Sequence, residues 1–86
     1  DCFIAGSVAA ETDGIVDCVE GAMVLLKKDG NEIATATTDV YGDFKFDKLP
    51  ENGGEYSVEI NSEGRRTYVL DITLGESQSF SDIMLT

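Results

Sequence analysis

Thr37-Thr38-Asp39-Val40-Tyr41-Gly42-Asp43-Phe44-Lys45-Phe46, followed by Leu49-Pro50 and Tyr56, is the stretch that most restricts how this chain folds. It joins a tight turn to an alternating aromatic strand. Asp39 can accept hydrogen bonds from the amides that follow it, and Gly42 can take the positive φ that closes such a turn. Phe44 and Phe46 then share one face, because strand side chains alternate with period two. Leu49-Pro50 begins a second turn. This is the pattern of a scaffold, with Asp39, Gly42 and Pro50 as turn positions.

The rest of the chain repeats the theme. Phe3 to Val8 reads as a first strand, with Gly6 marking a bulge or a close backbone approach. Glu11-Thr12-Asp13-Gly14 is a turn inside a long connection from Ala9 to Asp17. Gly21 to Leu26 is continuously apolar, as in a central strand covered on both faces or partly covered on the second; helix is the rival reading, but the run is short. It ends in the hairpin signal Lys28-Asp29-Gly30-Asn31. Ile33–Thr38, Asp43–Phe46, Glu55–Ile60, Thr67–Thr73 and Phe80–Leu85 complete seven expected strands. Leu49 to Gly54 forms a loop and Asn61 to Gly64 a turn. Amphipathic strands must each bury one face, so the expected fold is an all-β, two-sheet sandwich, antiparallel or mixed. Its core is expected from Ile4, Val8, Ala22, Val24, Leu26, Phe44, Phe46, Leu49, Tyr56, Val58, Ile60, Leu70, Ile72 and Leu85.

Eighty-six residues make one domain spanning 1–86, and 42% hydrophobic residues suffice for a core. Seventeen acids against six bases leave a net charge of −11. That field repels nucleic acid and anionic membranes and favours a basic partner surface. No apolar run reaches the roughly 18 residues of a membrane-spanning helix. The opening Asp1-Cys2-Phe3 carries no initiator Met or leader pattern, and residue 3 already lies in a strand. The expectation is a domain excised from the C-terminus of a longer protein.

Reactive chemistry is sparse. The chain has no His, the usual general base of nucleophilic catalysis, and Ser7, Ser57, Ser62, Ser77, Ser79 and Ser81 have no activating partner in the sequence. No catalytic residue, cofactor site or metal site is therefore assigned. Asp39, Asp43 and Asp47 recur every fourth residue, as do Asp13 and Asp17, but an EF-hand needs alternate positions and a terminal Glu. Cys2 and Cys18 form a disulfide only if the Ala9–Asp17 connection folds back; a six-residue strand otherwise separates them by roughly 20 Å, against about 5.5 Å for a bridge. Failing that, they are free thiols of a reducing compartment. The basic pairs Lys27-Lys28 and Arg65-Arg66 either guard sheet edges or form a docking patch. Tyr41 is the leading contact residue, since a turn position has no core to enter; Arg65 and Arg66 are candidates beside it, and Tyr68 is another.

Gly6-Ser7-Val8, Gly21-Ala22-Met23-Val24, Thr38-Asp39-Val40-Tyr41-Gly42-Asp43-Phe44-Lys45-Phe46, Leu49-Pro50 and Tyr56-Ser57-Val58 together resemble the carboxypeptidase regulatory-like domain. That resemblance covers essentially the whole chain and implies a transthyretin-like (Ig-like) sandwich, with Gly21 in a structural role. The Ala5-Gly6-Ser7-Val8 opening, Cys18-Val19-Glu20-Gly21-Ala22, Tyr41-Gly42-Asp43-Phe44 and Ser81-Asp82-Ile83-Met84-Leu85 are similar to the C-terminal domain of iron–sulfur subunits of molybdopterin-dependent anaerobic oxidoreductases. This implies a noncatalytic accessory or docking domain whose partners are other domains or subunits of the parent, with 4Fe-4S clusters carried elsewhere in it. It also favours an intracellular bacterial setting over secretion. The alternative is an extracellular structural module, or a carbohydrate- or protein-binding module of a secreted protein; the absence of Trp weighs against a sugar platform.

Overall fold

The computed structural model describes residues 2–50 and 53–86, Asp82 by its backbone alone. These form eight strands: β1 (Cys2–Thr12), β2 (Ile15–Cys18), β3 (Met23–Lys28), β4 (Asn31–Thr37), β5 (Asp43–Leu49), β6 (Gly54–Asn61), β7 (Tyr68–Leu74) and β8 (Gln78–Leu85). One sheet runs β4-β3-β6-β7, antiparallel throughout. The other is built on β1, with β8 parallel along one edge and, on the opposite edge, β5 beside residues 2–7 and β2 beside residues 9–12. The sandwich is thus mixed, as its sequence suggests.

The eighth strand corrects the reading of Ala9–Asp17 as a long connection. β1 runs on to Thr12, turns through Asp13-Gly14, both at positive φ, and returns as β2 with Thr12 opposite Ile15. Two positive-φ residues make the type I′ turn that matches strand twist. The same geometry settles the cysteines. Cys2 pairs with Leu49 at one end of β1, whereas Cys18 pairs with Ala9, seven residues along and therefore roughly 23 Å away. Both are free thiols, Cys2 buried and Cys18 exposed.

Alternation sets the core. Cys2, Ile4, Val8 and Ala10 of β1 point inward, facing Val24 and Leu26 of β3, Tyr56, Val58 and Ile60 of β6, and Ile72 and Leu74 of β7. Phe44 and Phe46 pack beside them with ring centroids 6.0 Å apart. Gly6 leaves the space that the Phe44 ring fills: a Cβ there would lie 2.7 Å from Phe44 Cζ and 3.0 Å from Ile83 Cδ1. Leu70, expected in the core, is half-buried, near the start of β7, whereas Ile72 and Leu74 farther along the same face are buried. Cys2, Ala10, Leu74 and Ile83 join the core beyond expectation. Central β3 is fully covered on one face, at Val24 and Leu26, and partly on the other, where Leu25 is half-buried and Met23 exposed. Part of the Leu49–Gly54 loop lies outside the described residues.

Lys27 on β3 lies 2.7 Å from Glu59 on β6, one step across the ladder from its directly opposite partner Ser57. The ammonium holds the Glu59 carboxyl below its ordinary 4.5. A lowered carboxyl stabilises the fold above its unfolded value and loses that contribution as pH falls through the folded one. Lys27→Met should therefore be less stable than the parent at pH 7, with the gap closing as pH falls below the ordinary carboxyl value of 4.5 in urea titrations followed by circular dichroism. Leu26→Ala, at a fully buried site, should lower the unfolding free energy by about 2–5 kcal/mol at unchanged m-value.

Candidate functional site

On the edge of β1 that faces β5 and β2, the hydrogen-bonding partner changes at Val8. Ser7 is the last residue registered with β5 and Ala9 the first registered with β2. The Val8 backbone falls between, and the Asp39 loop closes that gap. Val8 N–H donates to Gly42 O at 2.8 Å, and Val8 O accepts from Val19 N–H at 3.0 Å.

The loop that delivers Gly42 is fixed by its own residues. Asp39 Oδ1 accepts from the amides of Tyr41 (2.9 Å) and Asp43 (3.0 Å), while Asp39 O accepts from Gly42 N–H at 2.9 Å. Gly42 sits at φ 78°, and a Cβ there would run into Val8 O. Both facts require glycine: the backbone conformation, and the approach of one main chain to another. The Asp39 carboxylate is thereby committed to the loop, and Asp43 accepts from Ser7 Oγ at 2.6 Å. Asp47 lies exposed on the sheet surface with Lys45 3.8 Å away. Among the described residues no three acids or thiols cluster as metal ligands.

Thr38 is the buried polar side chain beside this loop. Its hydroxyl accepts from Ala22 N–H (2.9 Å) and donates to Val19 O (2.6 Å). Main-chain bonds from Gly21 N–H to Thr38 O and from Thr38 N–H to Ala22 O, both 3.0 Å, complete the clamp. One threonine therefore ties the β4–β5 connection to the segment between β2 and β3. Sequence reasoning quoted Thr38 within its motif and gave it no role; a Thr that must both donate and accept shows itself only when its neighbours are placed.

The turn residues named from sequence fall here as follows. Asp39 and Gly42 build the loop, Gly21 enters the clamp through its amide at positive φ, and Pro50 directly follows β5. Tyr41 stands out from the loop at 70% exposure, with Val40 beside it at 61%. Tyr68, by contrast, is half-buried against the core. Arg65 and Arg66 lie elsewhere, on the β6–β7 turn. Arg65 Nη2 donates to Thr12 Oγ1 at 3.3 Å, and Arg66 N–H donates to Thr86 O at 2.8 Å. Arg65 lines a groove of about 600 Å³ between that turn and the β1–β2 hairpin, which Tyr41 does not line. The structure thus separates Tyr41 from the arginines. It also reveals exposed apolar residues that sequence reasoning passed over: Ile15 at 69% and Val16 at 59% on the β1–β2 hairpin, and Met23, Ile33 and Val69 on the other sheet. The Asp-Gly pair directly ahead of two β-branched residues was the signal for Ile15 and Val16.

The chain is thus an all-β domain, a mixed two-sheet sandwich whose first strand is closed by the Asp39–Gly42 loop. Residues 4–86 match the carboxypeptidase regulatory-like domain, and the chain belongs to that family. Over 58 residues it is 50% identical to the pyrogallol hydroxytransferase small subunit of Pelobacter acidigallici, a match covering 64% of this chain and 20% of the relative. The chain thus spans about a fifth of that relative's length. Among solved structures, the 5-hydroxyisourate hydrolase of Klebsiella pneumoniae superposes with a TM-score of 0.75 over 98% of this chain and 94% of the other, at 16% identity. That likeness places the fold as transthyretin-like.

Removing the Thr38 hydroxyl with Thr38→Val strands the Ala22 amide and should cost about 1–3 kcal/mol by urea titration. Gly42→Ala should cost more than Asp39→Asn in the same measurement, because Asn can still form the turn while no side chain fits at Gly42.

Proposed function

We propose that this domain is a noncatalytic accessory module, docking within a multisubunit oxidoreductase on a subunit whose other domains carry 4Fe-4S clusters. The observation that carries the reading is the 50% identity to part of a small subunit of a hydroxytransferase, a protein named for its place in a larger enzyme. The residues of this chain do not fit a cluster of their own. A 4Fe-4S centre is held by four thiolates, and of the two present Cys2 is buried on β1 while Cys18 is exposed on β2, opposite Ala9. Electron transfer is therefore assigned to the parent's other domains, and no step of it is routed through this one.

Docking suits the surface. The −11 charge attracts a cationic neighbour at long range, and exposed apolar side chains such as Val40 and Tyr41 give contact at short range. The domain's partners on this reading are protein domains or subunits of the same enzyme. The test is recovery of a tagged chain from its native host, followed by gel filtration and metal analysis. Expected is co-elution with larger subunits, while the isolated chain carries no stoichiometric iron. Stoichiometric iron in the isolated chain, or elution solely as a free monomer, contradicts the proposal.

A further inference from the structure

Beyond Ala10 the β1–β2 hairpin leaves the sandwich. Ala10 is the last buried side chain of β1, and residues 11–18 are all exposed. Extending a hairpin past the core gains no burial there, yet this one carries two β-branched apolar side chains at its tip. Ile15 lies on the face that continues the inner surface, with Thr12 and Asp17, toward the groove. Val16 lies on the opposite face, two residues from Cys18 and in register with Glu11. Within the arm β2 is paired with β1 from Cys18 opposite Ala9 to Ile15 opposite Thr12, and Arg65 on the β6–β7 turn donates to Thr12 Oγ1.

Charge decides what can cover this arm. Glu11, Asp13, Asp17, Glu20 and Glu63 surround it, against Arg65. That field repels nucleic acid and anionic lipid, which rules out the two commonest anionic surfaces. Water-excluding contact with Ile15 and Val16 also desolvates the flanking carboxylates, which is tolerable only where cations meet them. Exposed apolar side chains rimmed by like charge therefore define the complement closely.

We infer that the β1–β2 arm is the docking element of this domain, and that its occupant is a protein surface presenting an apolar recess rimmed by Lys or Arg. The inference rests on the docking reading above and names the face and partner chemistry that reading leaves open. Tyr41 and Val40 form a separate exposed spot on the Asp39 loop, which abuts the base of the arm: a Cβ placed on Gly42 would lie 3.4 Å from Cys18 Cβ.

Cys18, exposed at the end of β2, reports on the arm, and buried Cys2 serves as the internal control for unfolding. N-ethylmaleimide labelling of both, read by mass spectrometry, is compared between the chain alone and the native assembly containing it. Cys18 should label at least about tenfold more slowly in the assembly, and raising KCl to about 0.5 M should restore part of the rate by screening. The double variant Ile15→Ser/Val16→Ser should keep the parental circular dichroism, since both residues are exposed, and should lose retention in the assembly. Equal Cys18 labelling in both states, or a double variant retained like the parent, overturns the inference. If that happens while the domain stays in the assembly, docking stands and uses another face. If the parental chain enters no assembly at all, the docking reading fails, and this inference fails with it.

Discussion

One strand must satisfy two successive partners along the same edge, and the structure depends on how the gap between them is closed. β1 gives its first half to β5 and its last third to β2, and Val8 belongs to neither. A buried strand cannot leave that amide and carbonyl bare, since each unpaired group costs about as much as a lost buried hydrogen bond. Gly42 O and Val19 N–H supply the partners. The Asp39 turn, the glycine without a side chain and the Thr38 clamp follow from that need. Each delivers a main-chain group to within about 3 Å of where β1 requires it.

The same closure explains why the domain is presentable as a module. With the edge of β1 sealed, the arm beyond Ala10 projects without unravelling the sheet behind it. The core, drawn from both sheets, stays independent of what the arm does. The buried residues that hold the fold, such as Ile4, Val24, Leu26, Val58 and Ile60, are thus distinct from the exposed ones on which docking is proposed, Ile15, Val16, Val40 and Tyr41. Substitutions in the second group leave the first untouched, which is the condition for an accessory domain to vary its partner while keeping its fold.

Much of this was legible in the residues. Period-two alternation, as in Tyr56-Ser57-Val58-Glu59-Ile60 and the Phe44/Phe46 pair, marked most strands and nearly all of the core, because burial of one strand face is dictated locally, while which strands share a sheet was not legible. Asp39 and Gly42 were legible for the same reason, since turn chemistry acts within four residues. The partner switch at Val8 was not, because it joins residues 34 positions apart and depends on register. Leu70 was misjudged because alternation gives the face and not how far along β7 the opposite sheet covers it, which begins in full at Ile72. The hairpin arm was missed because Asp13-Gly14 read equally well as a bend in a loop; only the pairing of Thr12 with Ile15 makes it a two-residue hairpin. Tyr41 was placed correctly at the surface, but its separation from Arg65 is a matter of tertiary arrangement.

Amide hydrogen exchange at Val8 and Val19 measures the sealed edge most directly. Both amides should exchange as slowly as their neighbours in the β1–β5 ladder in the parental chain, and speed up together when Gly42 is replaced. Free exchange at Val8 in the parental chain, beside a protected ladder, would contradict the account.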